Sequence, residues 1–284
     1  RSEVTPIDKG DNRLLRTGLI ADIIANDGHD VTLWTSDFNH FNHSHRFNQN
    51  HLSKIKKNYS IQFLKSLGYK SNFSIRRYLD DIYVANQFEK VSKNLPHPDI
   101  IMVSMPSIEI ASKVVKYSKK NDIPVYVEIR DLWPDIFLDI SPLIFKPIIF
   151  FVNLYLNIKL KKSLKNANGL IGITESYLKW ALNKIKRRKT KNDSVYQMGY
   201  LKQNENDLLN YKKLESNTFS FIDKSNINVV FVGTIGKTND LETVLISAKK
   251  SAEKKLSISF IIAGKGEKYF YLKKKYSHLK NVVF

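Results

Sequence analysis

The 284-residue chain contains no cysteine, so it offers neither disulfide bonds nor a thiolate for catalysis. A cysteine-free chain suits a reducing cytosol. The chain has no initiator methionine and no visible signal peptide. It also lacks a P-loop, because the spacing G-x-x-x-x-G-K followed by Ser or Thr does not occur. These absences exclude disulfide bonds, thiol chemistry and a P-loop phosphate site.

Acidic residues are scarce: 27 stand against 46 basic ones, which gives a formal net charge of +19. Such an excess favours anionic partners, namely nucleic acid, phosphorylated small molecules or an acidic membrane surface. Most of the basic residues are lysine, so a biased genome composition is an alternative source of part of this charge. The hydrophobic fraction of 42% and the aromatic fraction of 12% indicate a globular chain.

The predicted elements repeat in the order strand, loop and helix, which indicates an α/β fold with parallel sheets. The length of the chain favours two domains. We predict a first Rossmann-like domain over residues 1–200, a polar linker over 201–226 and a second Rossmann-like domain over 227–284.

Both ends of the chain suggest missing structure. A loop leads into a helix that Asn12 can cap, and this order implies a strand before residue 1. The final stretch, Asn281-Val-Val-Phe284, looks like a strand that stops at its last residue. We therefore expect a fragment that lacks its first strand and its C-terminal part, so that the second domain is incomplete.

The centre of the first domain is a β-branched run, Val125 to Ile129, which predicts a buried strand. Arg130 and Asp131 follow it, and Trp133-Pro134 makes a rigid corner. In open parallel sheets, ligands lie beyond the carboxyl ends of the strands. We therefore predict that Arg130 and Asp131 are catalytic-site residues. The alternative is an Arg-Asp surface pair beside a buried tryptophan.

The first strand-to-helix turn, before Arg16, is a second candidate. Anions bind at such turns because the helix N-terminus carries a partial positive charge. Gly10 would allow close backbone approach, and Arg13 and Arg16 would add positive charge. This turn is not a G-x-G-x-x-G motif.

Three further features of the first domain carry predictions. Glu175 follows a short predicted strand and is a crevice candidate. His40 belongs to a histidine-rich loop (37–51) that we predict to be solvated or to line a substrate site. A metal site is the alternative there, but the loop shows no rigid scaffold for its ligands. The pair Asp80-Asp81 is predicted to lie on a solvated helix face.

The second domain begins with a predicted strand that runs into Gly233-Thr-Ile-Gly236-Lys237. Glycines allow backbone N–H groups to approach an anion, and the following helix N-terminus and Lys237 add positive charge. A second strand enters Gly264-Lys-Gly266-Glu267. Two successive glycine turns at strand ends predict a nucleotide-phosphate site. The alternative is two tight turns without a ligand.

An apolar run, residues 142–156, is followed by Lys159, Lys161, Lys162 and Lys165. The run is interrupted by Lys146 and Asn153 and is shorter than the roughly 20 residues that a bilayer-spanning helix needs. We predict that residues 142–165 lie on an anionic membrane surface. The alternative is a helix that packs on the sheet.

Four strings together resemble family-4 retaining glycosyltransferases of GT-B fold, nearest to the branch that builds bacterial O-antigen and capsule sugars. They occur in order over nearly the whole chain: Arg13-Leu-Leu-Arg-Thr-Gly-Leu-Ile-Ala-Asp22, Gly28-His-Asp-Val-Thr-Leu-Trp-Thr-Ser-Asp-Phe-Asn-His40, Ile129-Arg-Asp-Leu-Trp-Pro134 and Phe231-Val-Gly-Thr-Ile-Gly236. The resemblance implies a GT-B-like chain with two Rossmann-like parallel-sheet domains.

The resemblance implies that the first domain binds the acceptor and the second a nucleotide sugar, expected to be UDP-linked, with no cofactor and no required metal. The acceptor is expected to be a lipid-linked saccharide, and the enzyme to sit on the cytoplasmic face of the inner membrane. On this view the acceptor side comprises Gly10, Arg13, Arg16, His40 and Glu175. The donor side comprises Gly233, Thr234, Gly236, Lys237, Gly264, Gly266 and Glu267.

The chain departs from the family pattern at several positions. Thr234 and Asn239 stand where the family often has Arg and Lys, so Lys237 is expected to substitute. Arg130 stands where many members carry His. The family's Glu-x7-Glu donor element would lie beyond Phe284, so this fragment is expected to be inactive alone. Two alternatives remain open: a nucleotide-sugar epimerase of the same architecture and a basic nucleic-acid-binding module.

Overall fold

The computed structural model describes residues 4–8, 14–70, 74–141, 143–199, 222, 225–236 and 239–284. The chain divides into two compact units, unit 1 (Arg1–Tyr200) and unit 2 (Leu201–Phe284). Helices alternate with mainly parallel strands in each unit, so the predicted α/β class with Rossmann-like sheets is confirmed.

Unit 1 alternates helices and strands. Its helices in the described residues are α1 (Arg16–Asn26), α2 (Ile75–Ser92), α3 (Ile108–Lys120), α4 (Ile136–Ile140), α5 (Lys146–Asn166) and α6 (Glu175–Ile185), with a 3-10 turn at Leu143–Phe145 before α5. Its strands are β1 (Val31–Ser36), β2 (Phe38–Asn39), β3 (Ser44–His45), β4 (His51–Lys56), β5 (Tyr59–Leu64), β6 (Ile101–Ser104), β7 (Val125–Ile129), β8 (Gly169–Gly172) and β9 (Ser194–Val195).

The main sheet of unit 1 has the order β6-β7-β8-β9 and is parallel throughout. Strand β7 lies inside it, and its residues Val125, Val127 and Ile129 are buried because helices cover the sheet. Helices α3 and α5 pack on each other over this core. The β-branched run at 125–129 therefore forms the buried strand that the sequence predicted.

A second sheet of unit 1 has the order β1-β5-β4, in which β1 runs parallel and β4 antiparallel to β5. The prediction of a purely parallel first domain is therefore wrong at residues 38–56, where a hairpin of β2 and β3 precedes β4. Strand β4 is polar and half-exposed, with alternating burial along His51–Lys56. Such an edge strand carries too few apolar residues to be distinguished from a loop.

Helix α2 begins after Ser74, whose Oγ accepts a hydrogen bond from the Arg77 N–H and so caps the helix. The solvated face assigned to Asp80-Asp81 is wrong, since both residues are buried. Asp80 accepts hydrogen bonds from Ser66 Oγ and the Leu67 N–H at 2.7 and 2.6 Å, so its carboxylate anchors the chain that leads into α2.

Helix α1 begins at Arg16 after Leu15, which makes no side-chain cap. The predicted cap, Asn12, lies outside the described residues.

Unit 2 consists, in its described part, of β10 (Ile227–Val232), α7 (Leu241–Glu253), β11 (Ile258–Ala263), α8 (Tyr269–Tyr276) and β12 (Val282–Val283). Its sheet has the order β10-β11-β12 and is parallel. Both helices pack on one side of it through a core that includes Leu245, Ile262 and Leu272. This is the repeating strand-helix pattern of a Rossmann-like domain.

Candidate active site

Arg130 directly follows β7, at the carboxyl end of the main sheet of unit 1. Its Nη1 donates a hydrogen bond to Thr17 Oγ1 at 2.9 Å, in the first turn of α1. The start of α1 therefore lies beside the end of β7. This is the edge of a parallel α/β sheet at which ligands bind.

Asp131 continues the same loop and is partly buried. Its Oδ1 accepts a hydrogen bond from the Leu132 N–H at 2.9 Å. Burial raises the pKa of this carboxyl group, although the Leu132 N–H and the charge of Arg77 oppose the rise. Asp131 therefore holds its proton more readily than an exposed aspartate, and such shifted carboxyls are common at functional sites.

A row of aromatic and basic side chains extends from the Trp133 corner. The Arg77 guanidinium lies over the rings of Trp133 and Tyr69, with its central carbon 5.1 and 5.5 Å from the two ring centroids. His40 Nδ1 lies 2.8 Å from Tyr69 Oη. The structure therefore brings His40 into the same row as Trp133.

Sequence reasoning missed Tyr69 and Arg77. The signal for Arg77 was available, because a cation in the first turn of a helix opposes the helix dipole and is therefore unusual there. Tyr69 offered no such signal, since it stands in an irregular segment between β5 and α2.

Arg16 has a different role from the predicted anion contact. Its Nε donates to Glu128 Oε1 at 2.5 Å, and its Nη1 and Nη2 donate to the backbone oxygens of Gln197 and Tyr196 at 2.8 and 2.9 Å. Glu128 is fully buried and also accepts a hydrogen bond from Ser104 Oγ. Arg16 therefore links α1 to β7 and to the segment after β9. We correct its assignment accordingly.

The remaining predicted acceptor-side residues are Glu175, Gly10 and Arg13. Glu175 begins α6 at the carboxyl end of β8, where its side chain is 76% exposed and 3.6 Å from Lys189 Nζ. Its place at the sheet edge matches the predicted position, and its role stays a prediction. Gly10 and Arg13 lie outside the described residues.

The two glycine turns of unit 2 are hydrogen-bonded to each other. The Gly233 and Ile235 N–H groups donate to the carbonyl oxygens of Ala263 and Lys265 at 3.0 and 2.9 Å. The parallel pairing of β10 with β11 thus continues into the loops. The prediction that the Gly233 N–H approaches an anion is therefore wrong, because this N–H already donates to a backbone carbonyl.

The glycines of these turns differ in how much space the backbone leaves for a side chain. A Cβ added at Gly264 would lie 1.8 Å from the Gly233 carbonyl oxygen, and one at Gly266 would lie 2.2 Å from that of Ile235. At Gly233 and Gly236 the nearest heavy atom would be 3.4 and 3.5 Å away, which is ordinary contact. Packing of the two turns therefore explains Gly264 and Gly266 without a ligand, but it explains neither Gly233 nor Gly236.

The start of α7 is already capped. The Asp240 side chain accepts hydrogen bonds from the Thr243 N–H and hydroxyl group, so a carboxylate lies at the helix N-terminus where the sequence predicted a phosphate. The Thr234 carbonyl accepts a hydrogen bond from Asn239. Glu267 is exposed after the second turn. Lys237 lies outside the described residues.

Helix α5 and the 3-10 turn before it expose many apolar side chains, which we call the apolar face. Its members are between 44% and 81% exposed: Leu143, Ile144, Ile148, Phe150, Phe151, Val152, Leu154, Tyr155 and Ile158. The exposed positions of its C-terminal part are lysines instead, at 161, 162 and 165. No helix in the described part of the chain is both long and apolar enough to cross a membrane. The described residues also contain no cluster of three or more potential metal ligands.

No protein-family model and no curated protein sequence matches the chain. Solved structures do match it. WaaG, a glycosyltransferase involved in lipopolysaccharide biosynthesis, matches with 12% identity and a TM-score of 0.58, over 93% of this chain and 64% of WaaG. The catalytic domain of Arabidopsis thaliana starch synthase IV, bound to ADP and acarbose, matches with 9% identity and a TM-score of 0.56, over 93% and 68%.

Arabidopsis thaliana UGT89C1, complexed with UDP, matches with 13% identity and a TM-score of 0.52, over 94% of this chain and 66% of that one. The chain thus spans about two thirds of the length of these structures. At such low identity the similarity establishes architecture. The chain has the GT-B-like fold, with two Rossmann-like parallel-sheet units.

Proposed function

We propose that the complete protein transfers a sugar, with retention of configuration, from a nucleotide sugar to a lipid-linked acceptor in bacterial O-antigen or capsule synthesis. The observation that carries the proposal is the GT-B-like fold. Open α/β sheets bind ligands beyond the carboxyl ends of their strands, and both units have candidate residues there. Two of the solved structures with this fold hold a nucleoside diphosphate.

The chemistry requires stabilisation of the negative charge that develops on the departing nucleoside diphosphate. Lys237 and the Gly236 turn are the candidate groups for this task on the donor side. Gly236 supports the assignment because neither packing nor a positive φ explains a glycine there. Arg130 orients phosphate or acceptor, with Asp131 as its polar neighbour.

A lipid-linked acceptor requires that the enzyme reach a membrane surface. The apolar face and the lysines that follow it on α5 fit the interface of an anionic bilayer, with aromatic side chains among the acyl chains and ammonium groups at the headgroups. Monomeric soluble proteins rarely expose so many contiguous apolar side chains without a partner. We assign this surface to the cytoplasmic face of the inner membrane.

The test is to incubate the complete protein with a panel of nucleotide sugars, with and without lipid-linked saccharide acceptors. Transfer predicts free nucleotide that is released only when an acceptor is present. An epimerised nucleotide sugar formed without acceptor would identify an epimerase instead. Binding to RNA that weakens with salt, without binding of any nucleotide sugar, would identify a nucleic-acid module.

A further inference from the structure

Unit 1 contains a cavity of about 160 Å³ between α2, α3, α5 and the Trp133 corner. Its wall is mostly apolar and includes Ile108, Trp133, Phe137, Val152 and Leu156. Enclosed apolar cavities of about 150 Å³ bind small hydrocarbons, and this cavity has a similar volume but opens at the protein surface. The size and lining of this cavity therefore suit part of a hydrocarbon chain better than a sugar ring.

The cavity meets the apolar face of α5 at Val152. This side chain is 44% exposed and belongs both to the apolar face and to the cavity wall. Ile108 and Leu156 are buried and form the inner part of the wall. A hydrocarbon chain at a lipid surface in contact with α5 would therefore reach the inner wall by passing Val152.

The wall also has a polar part, to which α2 contributes Arg77, Tyr78 and the buried Asp81, Ser74 contributes from the cap of α2, and α3 contributes Glu109. Arg77 lies there, over the ring of Trp133. The carboxylate of Glu109 is on the same wall, but Lys159 Nζ lies 2.9 and 2.7 Å from its two oxygens and Tyr78 Oη donates to it at 3.0 Å. Burial raises the pKa of Tyr78, and the nearby Glu109 adds to the rise, so the phenol stays a donor. Glu109 is thereby compensated by a cation.

We propose that this cavity binds the hydrocarbon segment next to the phosphate of the lipid-linked acceptor, which enters from the membrane surface past Val152. The inference rests on the proposed function for the identity of the ligand. The hydrocarbon lies between Trp133, Phe137 and Leu156, and the phosphate lies near Arg77. The cavity thereby holds the acceptor close to Arg130 and Asp131, which stand three and two residues before Trp133.

The test measures binding of geranyl phosphate, octyl phosphate and inorganic phosphate to the complete protein by calorimetry, without donor or vesicles. We expect geranyl or octyl phosphate to bind at least about tenfold more tightly than inorganic phosphate, because each buried methylene group adds affinity. Preference for the branched chain would indicate a prenyl acceptor, and preference for the straight chain an acyl one. Equal binding of all three ligands would overturn the proposal.

Two matched variants locate the site. Val152→Trp places an indole at the cavity entrance, whereas Ile158→Trp adds the same group on the apolar face away from the lining. We expect Val152→Trp to weaken binding at least about tenfold and Ile158→Trp less than about twofold. Val152→Met, which fills less space, should give an intermediate loss. Equal losses in both Trp variants would overturn the proposal.

This binding assay requires no sugar transfer. If the protein proved to lack sugar-transfer activity, the binding result would therefore still stand. If the lipid phosphates did not bind, acceptor-dependent nucleotide release would still test the proposed function on its own.

Discussion

Arg16 and Glu128 form an ion pair in which the arginine is 10% exposed and the glutamate fully buried. The pair joins α1 to the central strand of unit 1, and the backbone oxygens of Tyr196 and Gln197 accept the remaining guanidinium bonds. Removing one partner of such a pair leaves a buried charge uncompensated. The contact is therefore structural, although both residues stand next to the candidate site.

We predict that Arg16→Ala lowers the free energy of unfolding of unit 1 by about 3 kcal/mol or more. The matched control is Lys56→Ala, which breaks the more exposed pair with Asp22 and should cost less than about 1 kcal/mol. All three tryptophans, Trp34, Trp133 and Trp180, belong to unit 1, so their fluorescence in a urea titration reports its unfolding. Similar losses in both variants would contradict a buried structural pair.

We predict that one glycine of the unit 2 turns is needed for stability and another for nucleotide-sugar binding. Gly266→Ala should destabilise unit 2 by more than about 1 kcal/mol, because its methyl group would collide with the Ile235 carbonyl. Gly236→Ala should change stability by less than about 0.5 kcal/mol yet weaken nucleotide-sugar binding at least about tenfold. Hydrogen exchange of β10 and β11 amides measures the first effect, and calorimetry the second. Unchanged affinity in Gly236→Ala would remove that residue from the donor site.

We predict that replacing Asp131 and Asp135 by asparagine changes the stability of the fold in opposite directions. Burial raises the pKa of Asp131. Burial alone would also raise the pKa of Asp135, but hydrogen bonds from Lys184 and Trp180 bring it below its ordinary value. The folded state therefore binds the Asp131 proton more tightly than the unfolded chain, and this carboxyl costs stability as pH rises from 3.8 through its raised value. Asp135 adds stability above 3.8, which is lost as pH falls through its lowered value.

At neutral pH, Asp131→Asn should thus raise the urea midpoint and Asp135→Asn should lower it. Both differences should shrink when the titrations are repeated at pH values below 3.8, where both carboxyl groups are protonated in the unfolded chain. Shifts of the same sign in the two variants at neutral pH would contradict the assigned environments.

Arg130→Ala in the complete protein should lower turnover at least about tenfold, because it removes a cation from the reacting phosphate or acceptor. Lys237→Ala should have an effect of similar size. Thr17→Val is the control for Arg130, since it removes only the hydrogen bond at 2.9 Å and keeps the charge. Near-normal turnover in both alanine variants would reject the assigned roles.

The apolar face of α5 predicts binding to vesicles that contain anionic lipid. The double change Phe150→Ser and Phe151→Ser should weaken this binding at least about tenfold, because two large apolar side chains no longer enter the interface. Phe270→Ser in unit 2 is the matched control, since this phenylalanine is also exposed but lies outside the face. Binding should also weaken as salt increases. Sedimentation with vesicles decides the point, and equal binding of the two serine variants would contradict the assignment.

The sequence predicts best where one physical signal dominates. The β-branched residues at 125–129 predicted β7 with its observed limits, because burial of those side chains fixes the strand. The polar strand β4 escaped prediction because pairing with β5, rather than its own composition, makes it a strand. The burial of Asp80 escaped prediction for a similar reason, since its hydrogen-bond partners Ser66 and Leu67 belong to the segment before α2.

The candidate site is predictable by position but less so by role. Strand ends placed Arg130 and Asp131 at the sheet edge, where Arg130 contacts α1. The charge of Arg16 could not reveal its partner, because Glu128 lies 112 residues away within a strand that reads as apolar. The glycine patterns likewise could not separate Gly236 from Gly264 and Gly266, since only the distances between the two turns distinguish them.

The most direct test of sugar transfer follows a radiolabelled sugar from its nucleotide donor into lipid. The complete protein is incubated with the labelled nucleotide sugar and a membrane extract that contains lipid-linked acceptors, and the products are partitioned between water and organic solvent. We predict that label enters the organic phase only when protein and acceptor are both present, and that Arg130→Ala reduces this transfer at least about tenfold. Label that stays in the aqueous phase with every nucleotide sugar, although the protein binds one of them, would contradict the proposed function.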